Sequence, residues 1–335
     1  MPKAVSPPVS ALFAVAKPSG PTSMAVVNDI KKLVTRSRLF VKEDELKKAE
    51  KQRPKKGKSA KYAREAVKIG QGGTLDPLAD GVLVIGVGKG TKRLSEFLDC
   101  VKEYRTAALL GCETDSFDSE GAVVRVASWK HVTREKVEEA LPKFRGDIQQ
   151  KPPIFSALKM DGKHLYDYAR QGIPLPRPIE ARPVTVHGLD ILEWKGSDHS
   201  FRYPETKFTD EQKSALEKAM HGIEDQVIVK DEPEAAASED TPSTAFVLQM
   251  RVSGGTYVRS IVHDLGHAVG SAAHVVTLTR SRQGRFALEP SEEDNTLGCV
   301  PWEIFKKAVE DPGESDADGW HEWERAVMDK MEVLE

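Results

Sequence analysis

Runs of apolar residues between turn-forming residues predict the strands of this protein. The run at 82–87 contains only valine, leucine, isoleucine and glycine, as expected of a strand that anchors a turn to a core. Residues 122–127 follow a turn after the candidate at 101–110, so we expect these two to pair as a hairpin. The strand candidates are 12–16, 82–87, 101–110, 122–127, 184–194 and 245–253, and an apolar stretch at 275–278 completes the core.

Apolar residues at helical spacing predict the helices. Thr22 or Ser23 can cap a first helix, whose apolar positions are Val26, Val27, Ile30, Leu33 and Val34. Strands and helices alternate irregularly, which predicts an α+β fold rather than regular βαβ winding. The further helix candidates lie near 91–98 and at 133–144, 210–221 and 257–269.

Three segments have the composition of additions to a compact core. Residues 41–68 are highly charged, and we expect an insertion that is partly disordered or helical. Residues 230–243 are acidic and rich in alanine, so they lack the apolar content to fold alone. About 45 residues remain after residue 290, which is too few for a typical independent domain, and their net charge is negative. They contain Trp302, Trp320 and Trp323, which favour a helical extension packed on the core.

The most informative stretch runs from Gly70 to Gly86. Asp76 lies between a Gly-Gly pair and Pro77, immediately before an apolar strand. Glycine permits positive φ and close approach, and proline fixes the backbone beyond the acid. A carboxylate presented in this way is preorganised for attack on a substrate. The residues alone leave a second interpretation open, in which Asp76 only bonds the backbone of its own turn.

Residues 70–77, which read Gly-Gln-Gly-Gly-Thr-Leu-Asp-Pro, resemble the catalytic motif of the TruB-type pseudouridine synthases. Other blocks resemble the family's motifs in the same order. The similarity covers most of residues 11–288, is weakest at 39–68 and 195–243, and is greatest to the eukaryotic, fungal members. The further blocks are Lys17–Gly20, Lys102–Arg105, Gly111–Gly121, Pro152–Lys159, Tyr166–Gly172 and Gly254–Ile261.

The resemblance implies a mixed, largely antiparallel central sheet flanked by helices, with an active-site cleft across the sheet. It also implies one catalytic domain at 1–290, followed by an acidic C-terminal extension at 291–335 without an appended RNA-binding domain. Three insertions would lie in the catalytic domain: a basic one at about 41–68, an RNA-gripping one at about 149–178 and an acidic one at about 196–243.

The implied activity is the isomerisation of uridine to pseudouridine in RNA, at position 55 in the TΨC arm of tRNA. The target uridine must leave the RNA stack. By resemblance Asp76 is the nucleophile, Arg259 holds that carboxylate ionised and aligned, and Tyr104 stacks on the target base and assists a proton transfer. The residues alone would equally fit a surface arginine at a helix start and a cross-strand core tyrosine.

Further residues match substrate-binding positions of the family. Lys17 supports the catalytic loop or contacts RNA, and Tyr257 and Leu278 line the uridine pocket. Gln71 stands where relatives have a histidine that contacts the substrate; glutamine both donates and accepts hydrogen bonds but does not become a cation near neutral pH. The full substrate-binding set is Lys17, Gln71, Gly73, Thr74, Lys159, Tyr166, Arg170, Tyr257, Leu278 and Arg280, of which Lys159, Tyr166, Arg170 and Arg280 are candidates for phosphate and loop contacts.

Other chemistries find less support. The segment 86–92 lacks the spacing of a phosphate-binding loop or a dinucleotide motif, so we expect a strand-to-helix turn. His263 and His267 have a metal-ligand spacing, but no third ligand is evident from the sequence. Ser23, Ser156 and Ser260 lie in no nucleophile elbow. Since isomerisation needs neither redox chemistry nor group transfer, we expect no cofactor and no metal.

Charge is unevenly distributed along the chain. The net charge is −3, yet residues 1–68 carry 17 Lys and Arg against 6 Asp and Glu, and residues 289–335 carry 4 against 15. A basic cluster of this kind attracts phosphate, although a solvated charge run would have the same composition. This charge distribution is compatible with RNA binding, and the family resemblance implies tRNA as partner, with messenger RNA of similar loop structure as a further substrate. We also expect a monomer that contacts no membrane.

Composition places the protein in an ordinary intracellular class. Charged residues make up 30% and apolar residues 39%, which suffices for a sizeable core, and no apolar run has transmembrane length. Cys100, Cys112 and Cys299 are widely spaced and fit a reducing compartment. The basic cluster 47–58 would serve as a nuclear import signal or bind phosphate, and we expect a nuclear or mitochondrial location, with the cytoplasm as alternative. A tRNA-folding chaperone with secondary or lost catalysis is the alternative function.

Overall fold

The computed structural model describes residues 6–51, 67–153, 158–220, 229–232 and 242–334. The chain forms two compact units. The first contains residues 1–102 and 279–335, and the second contains residues 103–278. Residues 52–66 of the predicted basic insertion, and residues 221–228 and 233–241 of the predicted acidic insertion, lie outside the described residues.

Fifteen strands and nine helices occur in the described residues. The strands are β1 Ser10–Lys17, β2 Ile69–Gln71, β3 Asp80–Val87, β4 Lys102–Leu110, β5 Cys112–Thr114, β6 Val123–Val126, β7 Gly146–Gln150, β8 Lys159–Met160, β9 Lys163–His164, β10 Arg182–Gly196, β11 Ala245–Val252, β12 Ala273–Gln283, β13 Phe286–Ala287, β14 Leu297–Pro301 and β15 Glu332–Leu334. The helices are α1 Ser23–Val34, α2 Glu43–Lys51, α3 Ser95–Asp99, α4 Arg134–Ala140, α5 Leu165–Gln171, α6 Asp210–Met220, α7 Val258–Ala268, α8 Trp302–Glu310 and α9 Glu322–Lys330. The mixture confirms the predicted α+β class.

The first unit is built on a mixed sheet in the order β2-β3-β1-β14-β13-β12. β1 pairs antiparallel with β3 from Ala11↔Val87 to Lys17↔Gly81, and parallel with β14. The end of β12 runs parallel to the start of β3, with Thr279 opposite Asp80. Every residue of β3 after Asp80 is buried, which explains its continuous apolar run. The region that follows Asp76 is therefore fixed on a buried strand.

α1 covers this unit as the sequence predicts. Thr22 is the N-cap, and its hydroxyl accepts a hydrogen bond from the Ala25 N–H. Val26, Val27 and Ile30 are buried at helical spacing. The structure thus decides between the two capping candidates and leaves Ser23, the first helical residue, available for another contact.

The acidic C-terminal segment contributes more than helices. α8 and α9 were expected from the sequence, and Phe305 of α8 stacks on Phe13 of β1 with ring centroids 6.2 Å apart. β14 and β15 were not predicted. β15 pairs with β1 from Ser10↔Leu334 to Leu12↔Glu332, so this short strand is held by backbone hydrogen bonds that composition does not show.

The second unit contains the sheet order β12-β4-β11-β10-β7. β10 pairs antiparallel with both β7 and β11, and register shifts interrupt its pairing with β11. The strands at 101–110, 184–194 and 245–253 lie where predicted, within one or two residues. The predicted hairpin partner is wrong: β6 pairs with β5, not with β4. The chain reverses at the 115–121 turn, so it returns beside the short strand that immediately precedes that turn.

The acidic insertion touches the edge of β6. The Glu232 N–H donates to the Val126 carbonyl, and the Val126 N–H donates to the Asp231 carboxylate at 2.8 Å. Residues 229–232 therefore supply hydrogen-bond partners to a short strand edge. α6 confirms the helix predicted at 210–221. No helix in the described parts of the chain is long and apolar enough to span a bilayer.

Candidate functional site

Asp76 lies in the irregular segment Gly72–Ala79 between β2 and β3, hereafter the β2–β3 loop. Its two glycines are required for different reasons. Gly73 has φ of +123°, which favours glycine. At Gly72 a side chain would come within 2.7 Å of Cβ of Phe97, so close packing excludes one. The pattern read from the sequence therefore corresponds to a specific backbone path that leads to a half-buried Asp76.

Lys17 supports the far end of this loop. Its ammonium group donates to the carbonyls of Pro18, Pro77 and Ala79, at 2.9, 3.2 and 2.5 Å. Only 1% of the residue is exposed. Burial lowers the pKa of Lys17 to about 8, and the nearby carboxylates of Asp80 and Asp76 oppose that shift. Of the two predicted roles, support of the loop matches this geometry, and a buried ammonium offers nothing to phosphate.

Ser23 holds the residue next to Asp76. Its hydroxyl donates to the Leu75 carbonyl and accepts from the Leu75 N–H, both at 2.8 Å. Sequence reasoning considered Ser23 only as a cap or a nucleophile. Because Thr22, immediately before it, caps the helix, Ser23 is free to bond the backbone of Leu75.

Gln71 and Thr74 are joined across the loop. The Gln71 amide nitrogen donates to the Thr74 hydroxyl at 3.1 Å, while the amide oxygen is buried without a hydrogen-bond partner among the described residues. Thr74 is exposed. Of the two residues, the exposed Thr74 is therefore the one available for a substrate contact, while the Gln71 amide is directed into the loop.

Arg280 lies under the same loop, where its guanidinium group bonds the carbonyls of Gly73, Thr74 and Val82. The residue is 1% exposed. The predicted phosphate contact is corrected by this placement, because the charged nitrogens face backbone carbonyls and are shielded from solvent. The chain position of Arg280, in the polar second half of β12, gives no sign of which side it faces.

In the second unit α7 presents Arg259, which is 6% exposed. One guanidinium nitrogen donates to the Ser116 carbonyl and lies 3.5 Å from the Asp118 carboxylate. Asp118 is itself buried and accepts from Ser116 and Glu120. The 115–121 turn thus fixes the direction of Arg259. The surface arginine that the residues alone left open is excluded.

Tyr104, Leu278 and Tyr257 belong to the second unit as well. Tyr104 on β4 and Leu278 on β12 are 8% and 6% exposed. Tyr257 begins α7, and its backbone N–H and carbonyl bond the side chain of buried Gln150 at 2.7 and 3.0 Å. Gln150 was not singled out from the sequence, because a glutamine at a strand end has no distinctive pattern.

The predicted RNA-gripping insertion is described in part. Lys159 is exposed at the β8–β9 hairpin, where a phosphate contact requires it. Tyr166 and Arg170 fall on α5, but their side chains lie outside what the structure describes, as do residues 154–157. Their assignment stays a prediction.

Glu113, His263 and His267 form a cluster in which one ligand atom of each lies within 4.8 Å of the others. No third ligand is evident beside the two histidines in the sequence; the fold brings Glu113 to them from β5. The cluster already has a cation, since Arg125 donates to the Glu113 carboxylate at 2.9 Å and His267 lies 3.0 Å from the same carboxylate oxygen. A metal ion would have to compete with that guanidinium for Glu113. The arrangement is best explained as a buried ion-pair network that anchors α7.

The glycine-rich segment after β3 forms a 3₁₀ turn at Gly88–Arg93. A side chain at Gly90 would lie 2.2 Å from the Ala11 carbonyl oxygen, and the Lys89 N–H bonds the Ser10 hydroxyl at 2.9 Å. Glycine at these positions therefore allows the turn to pack closely against β1. The structure confirms the predicted strand-to-helix turn.

Comparisons with known proteins agree on one family. The model of the TruB family pseudouridylate synthase N-terminal domain matches residues 60–209. The chain is 36% identical over 327 residues to tRNA pseudouridine synthase 4 of Schizosaccharomyces pombe, with 83% of this chain and 79% of that protein covered. It is 37% identical over 318 residues to the Saccharomyces cerevisiae protein of the same name, with coverage of 84% and 78%.

A solved structure shares the fold. The match to a chain in the crystal structure of a Cbf5–Nop10–Gar1 complex has a TM-score of 0.51 at 20% identity, covering 96% of this chain and 60% of that chain. The β2–β3 loop with Asp76, the buried Arg259 and the sequence relatives together lead to one assignment: this chain belongs to the TruB family of pseudouridylate synthases.

Proposed function

We propose that this protein isomerises uridine 55 in the TΨC arm of tRNA to pseudouridine, with Asp76 as the nucleophile. The observation that carries the proposal is the β2–β3 loop, in which buried donors hold the backbone on both sides of a half-buried carboxylate. The choice of tRNA is supported by the fungal relatives, which are named tRNA pseudouridine synthases.

The chemistry needs a fixed carboxylate and a base that has left the stack. The glycosidic bond from C1′ to N1 breaks, the uracil turns, and C1′ bonds to C5. The C5 proton is lost and N1 gains a proton, so the product has the same atoms as the substrate. An oxygen of Asp76 would form a transient bond to the ribose or the base, and this bond is broken before release.

The remaining roles follow the same proposal. The family resemblance assigns to Arg259 the role of keeping the nucleophilic carboxylate ionised and aligned. The direction of the Arg259 side chain is set by Asp118 and Ser116. Tyr104 and Leu278 contact the flipped uracil. Tyr257 is fixed for the same purpose by Gln150. Lys159 contacts phosphate from its exposed hairpin.

Pseudouridine mapping on an unmodified tRNA transcript tests this function. Wild-type protein should modify position 55 and leave a transcript with cytidine 55 unmodified. Asp76→Asn keeps the size of the side chain but removes its charge, so the rate should fall more than about a thousandfold, with the dissociation constant for tRNA nearly unchanged. The matched control is Asp99→Asn, which alters an exposed acid of the same unit.

Two outcomes would contradict the proposal. Substantial turnover by Asp76→Asn would remove Asp76 from the role of nucleophile. Accelerated refolding of a misfolded tRNA by wild-type protein, without any pseudouridine formed, would favour the chaperone function instead.

Independence from metal is tested on an isolated, pre-folded TΨC stem-loop. We expect full activity in excess chelator and without ATP, because Arg125 already neutralises Glu113 in the Glu113–His263–His267 cluster. The stem-loop is chosen because its fold depends less on magnesium than that of whole tRNA. Activity that disappeared with chelator and returned only with zinc would contradict a carboxylate mechanism.

A further inference from the structure

Side chains from other segments donate hydrogen bonds to most of the backbone carbonyls in the β2–β3 loop. Its residues form neither helix nor strand, so their carbonyl groups lack the repeating backbone partners of regular structure. Among the described residues, the loop carbonyls of Asp76 and Pro77 accept from backbone N–H groups, those of Ala79 and Gly20. Six of the loop carbonyls accept from side chains of other segments. The pairs are Gly72 with Gln283, Gly73 and Thr74 with Arg280, Leu75 with Ser23, and Pro77 and Ala79 with Lys17.

Arg280 differs from the other three donors in what it joins. Its Nη2 and Nη1 atoms lie 3.2 and 3.5 Å from the carbonyl oxygens of Gly73 and Thr74, before Asp76. Its Nε donates at 2.8 Å to the carbonyl of Val82, in the strand after Asp76. One rigid guanidinium group therefore ties the two arms of the loop together. The planar group with five N–H donors suits this task, which a lysine ammonium on a flexible stem performs less well.

The backbone around Arg280 is equally constrained. Thr279 and Arg280 are paired in parallel register with Asp80 and Gly81. A side chain at Gly81 would lie 2.2 Å from the Arg280 carbonyl oxygen, and Gly81 has φ of +101°. The backbones of β12 and β3 are therefore in close contact where β3 follows the loop. The position of the Arg280 side chain is fixed by its own strand before it contacts the loop.

We propose that Arg280 is a positioning residue for Asp76, acting through the carbonyls of Gly73, Thr74 and Val82 and not through RNA phosphate. A buried guanidinium group without a hydrogen bond to any carboxylate among the described residues is expensive to desolvate. That cost is offset where the group holds a functional segment in a single conformation. The inference rests on the proposed nucleophilic role of Asp76.

The experiment compares Arg280→Met with Arg282→Met, two residues along the same strand. Arg282 donates to the Gly284 carbonyl at 3.0 Å and to the Asp294 carboxylate at 3.2 Å. Single-turnover rates and dissociation constants are measured on the TΨC stem-loop over a range of salt concentrations. Both variants lose one positive charge, so the comparison isolates position from net charge.

A positioning role predicts that Arg280→Met lowers the single-turnover rate roughly a hundredfold, the effect of a displacement of about 1 Å in a reacting group. Its dissociation constant should stay within about threefold of wild type, with the slope of log affinity against log salt unchanged. Arg282→Met should keep the wild-type rate. A phosphate contact would instead weaken binding and reduce that slope by about one, and this result, or a wild-type rate, would overturn the inference.

Arg280→Lys covers the case in which Arg280→Met does not fold. It keeps the charge and three N–H donors on one nitrogen but loses the planar fork, so we expect a rate between those of wild type and the methionine variant with RNA binding intact. A wild-type rate for Arg280→Lys would also overturn the inference. Asp76→Asn is measured in parallel to distinguish failure of the proposed function from failure of the Arg280 inference. If Asp76→Asn is active, the assignment of Asp76 as the nucleophile fails. If Asp76→Asn is inactive but Arg280→Met is fully active, only the role of Arg280 is rejected.

Discussion

The β2–β3 loop and α7 hold candidate catalytic groups by different means. In the loop, lysine, arginine, serine and glutamine side chains donate to backbone carbonyls on both sides of Asp76. On α7, the backbone is satisfied by the helix itself, and the side chains of Arg259 and His267 contact the carboxylates of Asp118 and Glu113. The difference shows that an irregular segment must be fixed through its backbone, while a helix needs only its side chains directed.

Substitution of Arg259 tests the helix side of this comparison and should have the largest effect. Arg259→Met should lower the single-turnover rate about 100-fold or more, and the free energy of unfolding by about 3 kcal/mol, because the buried carboxylate of Asp118 loses the guanidinium group 3.5 Å away. The measurements are single-turnover kinetics and chemical denaturation. Arg251→Met, at an exposed arginine of the same unit, is the control.

A double variant separates the two consequences. Arg259→Met combined with Asp118→Asn also removes the buried negative charge at position 118, so most of the lost stability should return while the rate stays low. If the rate returned together with the stability, Arg259 would be only a structural residue.

Substitution of Lys17 tests the loop side. Lys17→Met removes the donor for three carbonyls, and we expect the free energy of unfolding to fall by about 2 kcal/mol. In the folded wild-type protein, burial lowers the pKa of Lys17 to about 8. Between about pH 8 and 10.5, Lys17 is therefore protonated in the unfolded chain but deprotonated in the folded chain. The free energy of unfolding should therefore rise with pH across this window, and the rise should be smaller in the variant. Equal slopes in both proteins would contradict the buried position of Lys17.

Acid titration tests the network below α7. Burial lowers the pKa of His263 from 6.5 to about 4. As pH decreases from 6.5 to 4, His263 is therefore protonated in the unfolded chain before it is protonated in the folded chain. The free energy of unfolding falls with pH across this window. Burial raises the pKa of Glu113, but the nearby His263, His267 and Arg125 outweigh it and hold that pKa at about 2. The stability from Glu113 is therefore present above about pH 4.5 and is lost towards pH 2.

His263→Phe keeps the stacking on Phe117, whose ring centroid lies 3.8 Å away. It should reduce the loss of stability between pH 6.5 and 4 by about 1–3 kcal/mol, measured as the denaturant midpoint at each pH. His187→Gln, at an exposed position on β10, is the control. An unchanged pH dependence in His263→Phe would show that His263 is not shielded from water.

The smallest effect is expected in the basic run, outside both regions of the comparison. Neutralising Lys55, Lys56 and Lys58 to glutamine should weaken tRNA binding a few-fold and flatten its salt dependence, because fewer counterions are released. The rate of isomerisation of bound tRNA should not change. An unchanged slope would mean that the run is only solvated.

The sequence by itself determined which segments form strands and helices and which residues belong to the family's motifs. Apolar spacing placed β1, β3, α1 and α7 within a few residues, because side-chain burial and backbone propensity act locally. The Gly-Gly-Thr-Leu-Asp-Pro stretch indicated Asp76 for the same reason, since glycine and proline restrict the backbone of their own turn.

Only the tertiary structure decided which distant partners meet. The β5–β6 pairing, the β15 strand on β1 and the Glu113 contact with His267 join segments that no local pattern connects. The environment of Arg280 is the clearest case, because an arginine in a polar strand segment has the same sequence pattern whether it faces phosphate or backbone carbonyls. Its role depends on the parallel pairing of β12 with β3, a contact between residues about 200 positions apart in the chain.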